Sequence, residues 1–203
     1  MTDHPAARML LICLIGVGLG AATSFGQTLL PDELRSLANS SGSWCVVAFI
    51  LAGIARRPAE GAAAGALTLV ALLIGYQATS MLRGFAIGLT PVLVWMSAAV
   101  TAGPALGAGR RWRGALDVRR RAWGVGVLPG VLIGEGVTSL ASVAETTYAP
   151  YWVGSIALGV LLIGMLGRRE LPSIRAWAVA IGVAAAVALA FVIAYLVVLP
   201  RLF

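Results

Sequence analysis

The sequence predicts an all-α fold, a polytopic bundle of transmembrane helices, and three observations carry that expectation. First, 60% of the 203 residues are hydrophobic and 11% charged, with a mean hydropathy of +0.93. A soluble domain carries about 25% charged residues, so this composition argues against soluble catalytic and nucleic-acid-binding classes. Second, the apolar residues fall into runs that can be tested against a hydrocarbon core roughly 30 Å thick, which takes about 20 helical residues to cross. Third, the arginines lie between those runs. The formal net charge of +7 therefore reads as a set of topology signals rather than as a surface for a polyanion.

Seven runs fit, in order. The first, residues 7–28, follows a short tail and superficially resembles a signal peptide. No Ala-x-Ala site follows it and the apolar character continues, so it reads as a retained helix. The second, residues 37–55, is the weak point, because its clean apolar stretch is 13 residues long (43–55), or about 20 Å of helix. To cross, it must draw Asn39, Ser40, Ser41 and Gly42 into the membrane; if it re-enters instead, six spans remain. The others are residues 61–80, 84–106, 122–143, 150–167 and 174–199. Pro91 and Pro129 each remove a backbone donor, which predicts local kinks. Connections are short and no composition shift divides the chain, so residues 1–203 read as one domain.

Orientation follows from the basic residues, all of which are arginines. With the N-terminus cytoplasmic, Arg8, Arg56, Arg57, Arg110, Arg111, Arg113, Arg119, Arg120, Arg121, Arg168, Arg169 and Arg175 lie inside, and only Arg35, Arg83 and Arg201 lie outside. That bias predicts N-inside and, with seven spans, C-outside. Trp44 and Trp152 then fall at outer helix ends, Trp123 and Trp177 at inner ends, and Trp95 at mid-span. The loop 110–121 holds six arginines, which would adhere to an anionic leaflet at about 1 kcal/mol each without a special partner.

Several chemistries are not expected. Cys13 and Cys45 lie within apolar runs and suggest neither a disulfide framework nor a metal site. The single histidine, His4, precedes the first span, so no His-based metal site or Ser-His-Asp arrangement can form. Phosphate-cradling loops, paired catalytic carboxylates and metal-ligand spacings are not recognisable, so the expectation is no cofactor, no nucleic acid and no enzymatic activity.

Helices in lipid gain contact area by close approach at small residues. Gly126, Gly130 and Gly134 line one face of the fifth run, with similar pairs at Gly16/Gly20, Gly61/Gly65 and Gly84/Gly88. Such a face serves either the packing of the bundle or the docking of a partner subunit.

The sharpest polar residue is Glu135, 14 residues beyond Arg121 and so about 21 Å along the helix, in the outer half. A carboxylate at that depth is either a ligand- or proton-binding group or a structural acid bonded to neighbouring helices. Gln27, Asn39, Ser40, Ser41, Trp44, Tyr76, Gln77, Arg83, Tyr148 and Trp152 fall at a similar or shallower level. Together they suggest an outward-facing pocket with Gln27, Asn39, Trp44, Tyr76, Gln77, Arg83 and Glu135 as its lining. Alternatively, outer helix ends are polar because they meet headgroups and water. Arg83 is either the charge partner of Glu135 or a snorkelling side chain.

At Gln27, Leu37-Ala38-Asn39-Ser40, Trp44, Gly75-Tyr76, Trp95, Gly103-Pro104, Gly107 and Gly134-Glu135-Gly136, the chain resembles an uncharacterised domain-of-unknown-function family of small multi-pass bacterial membrane proteins, frequent in actinobacteria. The resemblance spans most of the chain and implies a bacterial inner-membrane location without implying an activity. A looser likeness is to the substrate-binding subunits of energy-coupling-factor vitamin transporters, which have six spans with both termini inside. The resulting expectation is a protein that binds or transports a small polar or cationic molecule. The alternative is a non-transporting accessory subunit docked through Gly126, Gly130 and Gly134, with an intramembrane enzyme a third reading.

Overall fold

The computed structural model describes residues 4–86 and 88–198. The 199 end of the last expected span and Arg201 lie outside the described residues. Among the described residues there are eight α-helices and no strand. They are α1 (Pro5–Leu29), α2 (Asp32–Asn39), α3 (Ser41–Leu51, continued by a 3-10 turn Ala52–Ile54), α4 (Pro58–Leu82), α5 (Leu89–Trp112), α6 (Val118–Ser142), α7 (Ala149–Glu170) and α8 (Ile174–Ile193, continued as π-helix Ala194–Val198). Six of these, α1 and α4 to α8, are long and apolar enough to cross a membrane.

The second expected span breaks at Ser40, and α2 meets α3 at a bend of 57°. Leu30 precedes Pro31 and is extended, as a residue before proline prefers. After Pro31, Asp32 and Glu33 occupy the first turn of α2, where carboxylates favour a helix N-terminus. Ser40 is extended, and its Oγ accepts from the Ser43 amide at 3.1 Å. That cap starts a new helix and stops the old one. The polar residues at this end therefore form a separate short helix and a capped joint, so that the pair makes a seventh span only if counted as one broken helix.

The fourth span starts five residues later than expected. Gly84 adopts φ +80°, a left-handed conformation suited to glycine, and α5 begins at Leu89. Pro91 thus lies in the first turn of α5, where the missing N–H costs no intrahelical bond. Pro129, with Pro104, does lie within a helix.

Packing fixes the relative directions. Arg8 meets Glu60 at 3.0 Å at one end of the α1–α4 pair and Ser24 meets Ser80 at 2.9 Å toward the other, so these helices run parallel. The second parallel pair is α6 and α8, where Gly126, Gly130 and Gly134 face Ala180, Ala184 and Ala188 in register. A Cβ on Gly130 would lie 2.7 Å from the Ala184 carbonyl oxygen, which only glycine avoids. The glycine row is therefore occupied by α8 of the same chain. Antiparallel contacts join α4 to α5 through Gly61, Gly65, Gly103 and Gly107, and α6 to α7 through Gly136 and Gly159.

The most buried long helix is α6. Short α3 inserts beside it, where Cys45 and Phe49 pack with Leu106, Val127, Leu128, Val131 and Leu132. On its other side Trp44 and Ala48 pack with Leu69, Leu72 and Leu73 of α4 and Ala99 of α5. At the arginine-rich end, the basic end, the loops are tied inward. Arg113 pairs with Glu170, and Arg121 donates to the carbonyls of Ala115 (2.8 Å) and Glu170 (3.1 Å).

Candidate functional site

A cavity of about 680 Å³ lies at the end opposite the basic end. One wall is α6, which contributes Glu135, Thr138, Ser139 and Ser142. The spacing i, i+3, i+4, i+7 places them on one helical face. The facing wall is α2, whose Asp32, Arg35, Ser36 and Asn39 repeat the same spacing. The loop 143–148, Trp152 of α7, and Phe191 and Tyr195 from the end of α8 complete it.

Glu135 lies two turns below the end of α6, about 10 Å from Ser142 along the axis, and is 4% exposed. Its Oε2 accepts from the Ser40 hydroxyl at 2.7 Å and from the Gly42 amide at 2.9 Å. The carboxylate thus caps the α3 N-terminus, whose unsatisfied amides and positive dipole end favour an anion. Ser40 mediates, donating to Glu135 while accepting from Ser43. Ser41 shares a hydrogen bond of 3.1 Å with the Tyr195 hydroxyl, and Tyr195 stacks on Phe191 with ring centroids 4.8 Å apart.

The lining is rich in acceptors. Asp32, Glu135 and Glu145 stand against the single Arg35, which is already paired with Asp32 at 2.8 Å. Four of the lining hydroxyls spend their hydrogens on backbone carbonyls: Thr138 donates to Gly134 (2.8 Å), Ser142 to Thr138 (2.8 Å), Thr146 to Val143 (3.3 Å) and Thr147 to Val143 (2.7 Å). A hydroxyl has one hydrogen and two lone pairs, so these groups can only accept from a ligand. Thr147 already takes one bond, from Trp152 Nε1 at 2.8 Å.

Of the residues expected to line a pocket, Glu135 and Asn39 share this cavity, as do Ser41, Tyr148 and Trp152. Gln27, Tyr76 and Trp44 belong to a separate chain of contacts. Gln27 bonds Asn39, Tyr76 donates to Gln27 Oε1 at 3.1 Å, and the Trp44 ring lies 6.0 Å from Tyr76 and 4.6 Å from Trp95. Gln77 is half-buried on α4 and does not line this cavity. Of the two alternatives for Arg83, partner of Glu135 or snorkelling side chain, the pairing with Glu135 is corrected. Arg83 clamps α4 to α1 by donating to the Ser24 carbonyl, to Ser24 Oγ at 3.1 Å and to Thr28 Oγ1 at 2.6 Å, with Phe25 and Phe85 against its guanidinium.

Asp32, Ser36, Thr138, Ser139, Ser142, Glu145, Phe191 and Tyr195 were not anticipated by sequence reasoning. The matching polar spacing on α2 and α6 was visible as a pattern, but nothing in the sequence shows that these two faces oppose each other. Among the described residues no group of three or more His, Cys, Asp or Glu side chains could hold a metal ion.

Six long apolar helices packed on glycine seams define a multi-pass membrane protein. The chain belongs to a family of unknown function, DUF6518, which it matches over residues 1–199. No curated protein and no solved structure matches it.

Proposed function

We propose that this chain binds or transports a small cationic molecule that enters from the arginine-poor side of a bacterial inner membrane. The arginine distribution supports the orientation, since cytoplasmic loops collect positive charge. The observation that carries the reading is the acidic lining: three carboxylates, Asp32, Glu135 and Glu145, stand against the one Arg35, and Thr138, Ser142, Thr146 and Thr147 have their hydrogens already spent, which rewards a ligand that brings donors and positive charge. An ammonium or guanidinium brings several donors and a positive charge. Glu135 is the ligand acceptor at the floor, held in place by Ser40 and the Gly42 amide. The reading of an accessory subunit docked through Gly126, Gly130 and Gly134 draws no support from that face, because α8 fills it.

The test is a thermal-shift screen of the purified protein across amines, guanidines and neutral polyols, since a ligand of the folded state stabilises by mass action. Amines should stabilise and neutral polyols of equal size should not. In Glu135→Gln the affinity for the best amine should fall about tenfold or more, as expected for losing a bond to a charged group. The pH dependence of binding should flatten with it. An identical pH profile and affinity in wild type and Glu135→Gln would remove the proposed role.

A further inference from the structure

Glu135 stands between two glycines, and both are close-contact positions. A Cβ on Gly134 would lie 2.9 Å from Phe191 Cβ of α8, and one on Gly136 would lie 2.8 Å from the Trp152 carbonyl oxygen of α7. Successive helical residues point about 100° apart, so α8 and α7 approach on either side of the direction in which Glu135 leaves α6. The Gly134-Glu135-Gly136 triplet thereby brings an aromatic residue to each flank of the carboxylate. Phe191 and Trp152 both line the polar cavity with Glu135, as do Tyr148 and Tyr195.

The polar edges of the flanking rings are engaged. Trp152 spends its single side-chain donor on Thr147 Oγ1, the Tyr195 hydroxyl is bonded to Ser41, and Phe191 has no polar edge. Ser41 also ties Tyr195 to the support of the carboxylate, because its chain neighbours, Ser40 and the Gly42 amide, are the groups that hold Glu135. Phe191 lies within 5° of parallel to Tyr195, so each ring fixes the other. Aromatic residues of a membrane belt meet headgroups and lipid. Trp152, at 5% exposed, is turned inward instead. The flanks therefore set π surface beside a negative charge, a combination that attracts cations carrying apolar groups.

We infer that the cavity selects an alkylated ammonium ion, the protonated form of a secondary or tertiary amine. Its N–H would donate to Glu135 while its N-alkyl groups rest against Phe191, Tyr195 and Trp152. This rests on the reading of the cavity as a cation site and adds the substrate class. A primary ammonium is compact and strongly hydrated, and it points toward the rings N–H groups that find no acceptor there. Methyl groups on the nitrogen replace those hydrogens with surface that the ring faces attract. A quaternary ammonium keeps the ring contacts but has no hydrogen for Glu135, so the optimum lies between the two extremes.

The experiment uses the full chain in nanodiscs and two isomeric probes of equal charge, N,N-dimethylbutylammonium and hexylammonium, so that composition cancels in the ratio of their affinities. The dimethyl ion should bind wild type about tenfold more tightly, as for a pair of ring contacts to a cation. N,N,N-trimethylbutylammonium should then bind about tenfold more weakly than the dimethyl ion, the loss of a hydrogen bond to a charged group. Phe191→Leu keeps the Cβ that meets α6 and removes the ring, and Tyr195→Leu is the second variant. In each the ratio should drop to about threefold or less, whereas Tyr195→Phe, which keeps the ring, should retain most of it. A ratio near one in wild type overturns the inference, and so does a ratio that survives both leucine variants. Tightest binding by the trimethyl ion overturns the N–H bond to Glu135. Should the ratio be near one while hexylammonium still binds and is lost in Glu135→Gln, the cation site stands without aromatic selection. If neither isomer binds wild type, both readings fall.

Discussion

The α1–α4 and α6–α8 seams are both parallel helix pairs closed on glycine, yet they are held differently. Gly16, Gly20 and Gly75 let α1 and α4 touch. Side chains then tie that seam along its length, with Arg8 to Glu60, Ser24 to Ser80, Tyr76 to Gln27, and Arg83 to Ser24 and Thr28. Between α6 and α8 there is only shape: among the described residues no side-chain hydrogen bond or ion pair joins the two helices. Both solutions work in lipid, where neither hydrocarbon burial nor water drives helix association. The difference lies in what each leaves over. The first seam consumes its polar groups internally, while the second uses none, and so Glu135, Thr138 and Ser142 on α6 remain available to the cavity.

The sharpest way to break the comparison is to fill the second seam. Gly130→Leu should destabilise the protein in detergent by about 3 kcal/mol, the upper range for overpacking, because the Ala184 backbone and Val187 Cβ already occupy that space. Val131→Leu, one position along the helix, should cost clearly less, and equal losses on denaturant titration would mean that the glycine row carries no packing.

On the tied seam the effects are smaller and divided among bonds. Arg83→Met should cost about 1 kcal/mol, the value of charged hydrogen bonds discounted for partial exposure. It should leave amine binding at the cavity unchanged, because Arg83 does not touch Glu135. A shift in the pH profile of binding in that variant would show that the two charges communicate after all.

Smallest of all is the Ser24–Ser80 bond. A double-mutant cycle with alanine at both positions should return a coupling near 0.6 kcal/mol, typical of hydrogen bonds between membrane helices. A coupling indistinguishable from zero would place the holding of this seam on its glycines, as in α6–α8, and erase the contrast.

Much of the molecule was legible in the chain itself. Long apolar runs bounded by arginines fix where helices lie, because crossing hydrocarbon without water forces the backbone to bond within each segment. The run at residues 7–28 returns as α1 and that at 61–80 as α4, within a few residues. Intervals of four between glycines likewise mark close helix contact. Glu135 stands out for the same reason, as a carboxylate deep in an apolar run.

Which helix each face meets was decided only in three dimensions. Nothing local tells Gly130 that its neighbour is Ala184, or tells Arg83 that it will reach back to Ser24 and not across to Glu135. The site shows this most clearly. Seen along the chain, Asn39 to Gly42 is a polar start to a short span; in the fold, Ser40 caps a new helix, and the buried N-terminal amides of that helix draw Glu135 from 95 residues away. Local spacing sets which side chains share a face, since that follows from the helical repeat. The pairing of faces depends on how the helices fill one volume together, and no single stretch of sequence carries that information.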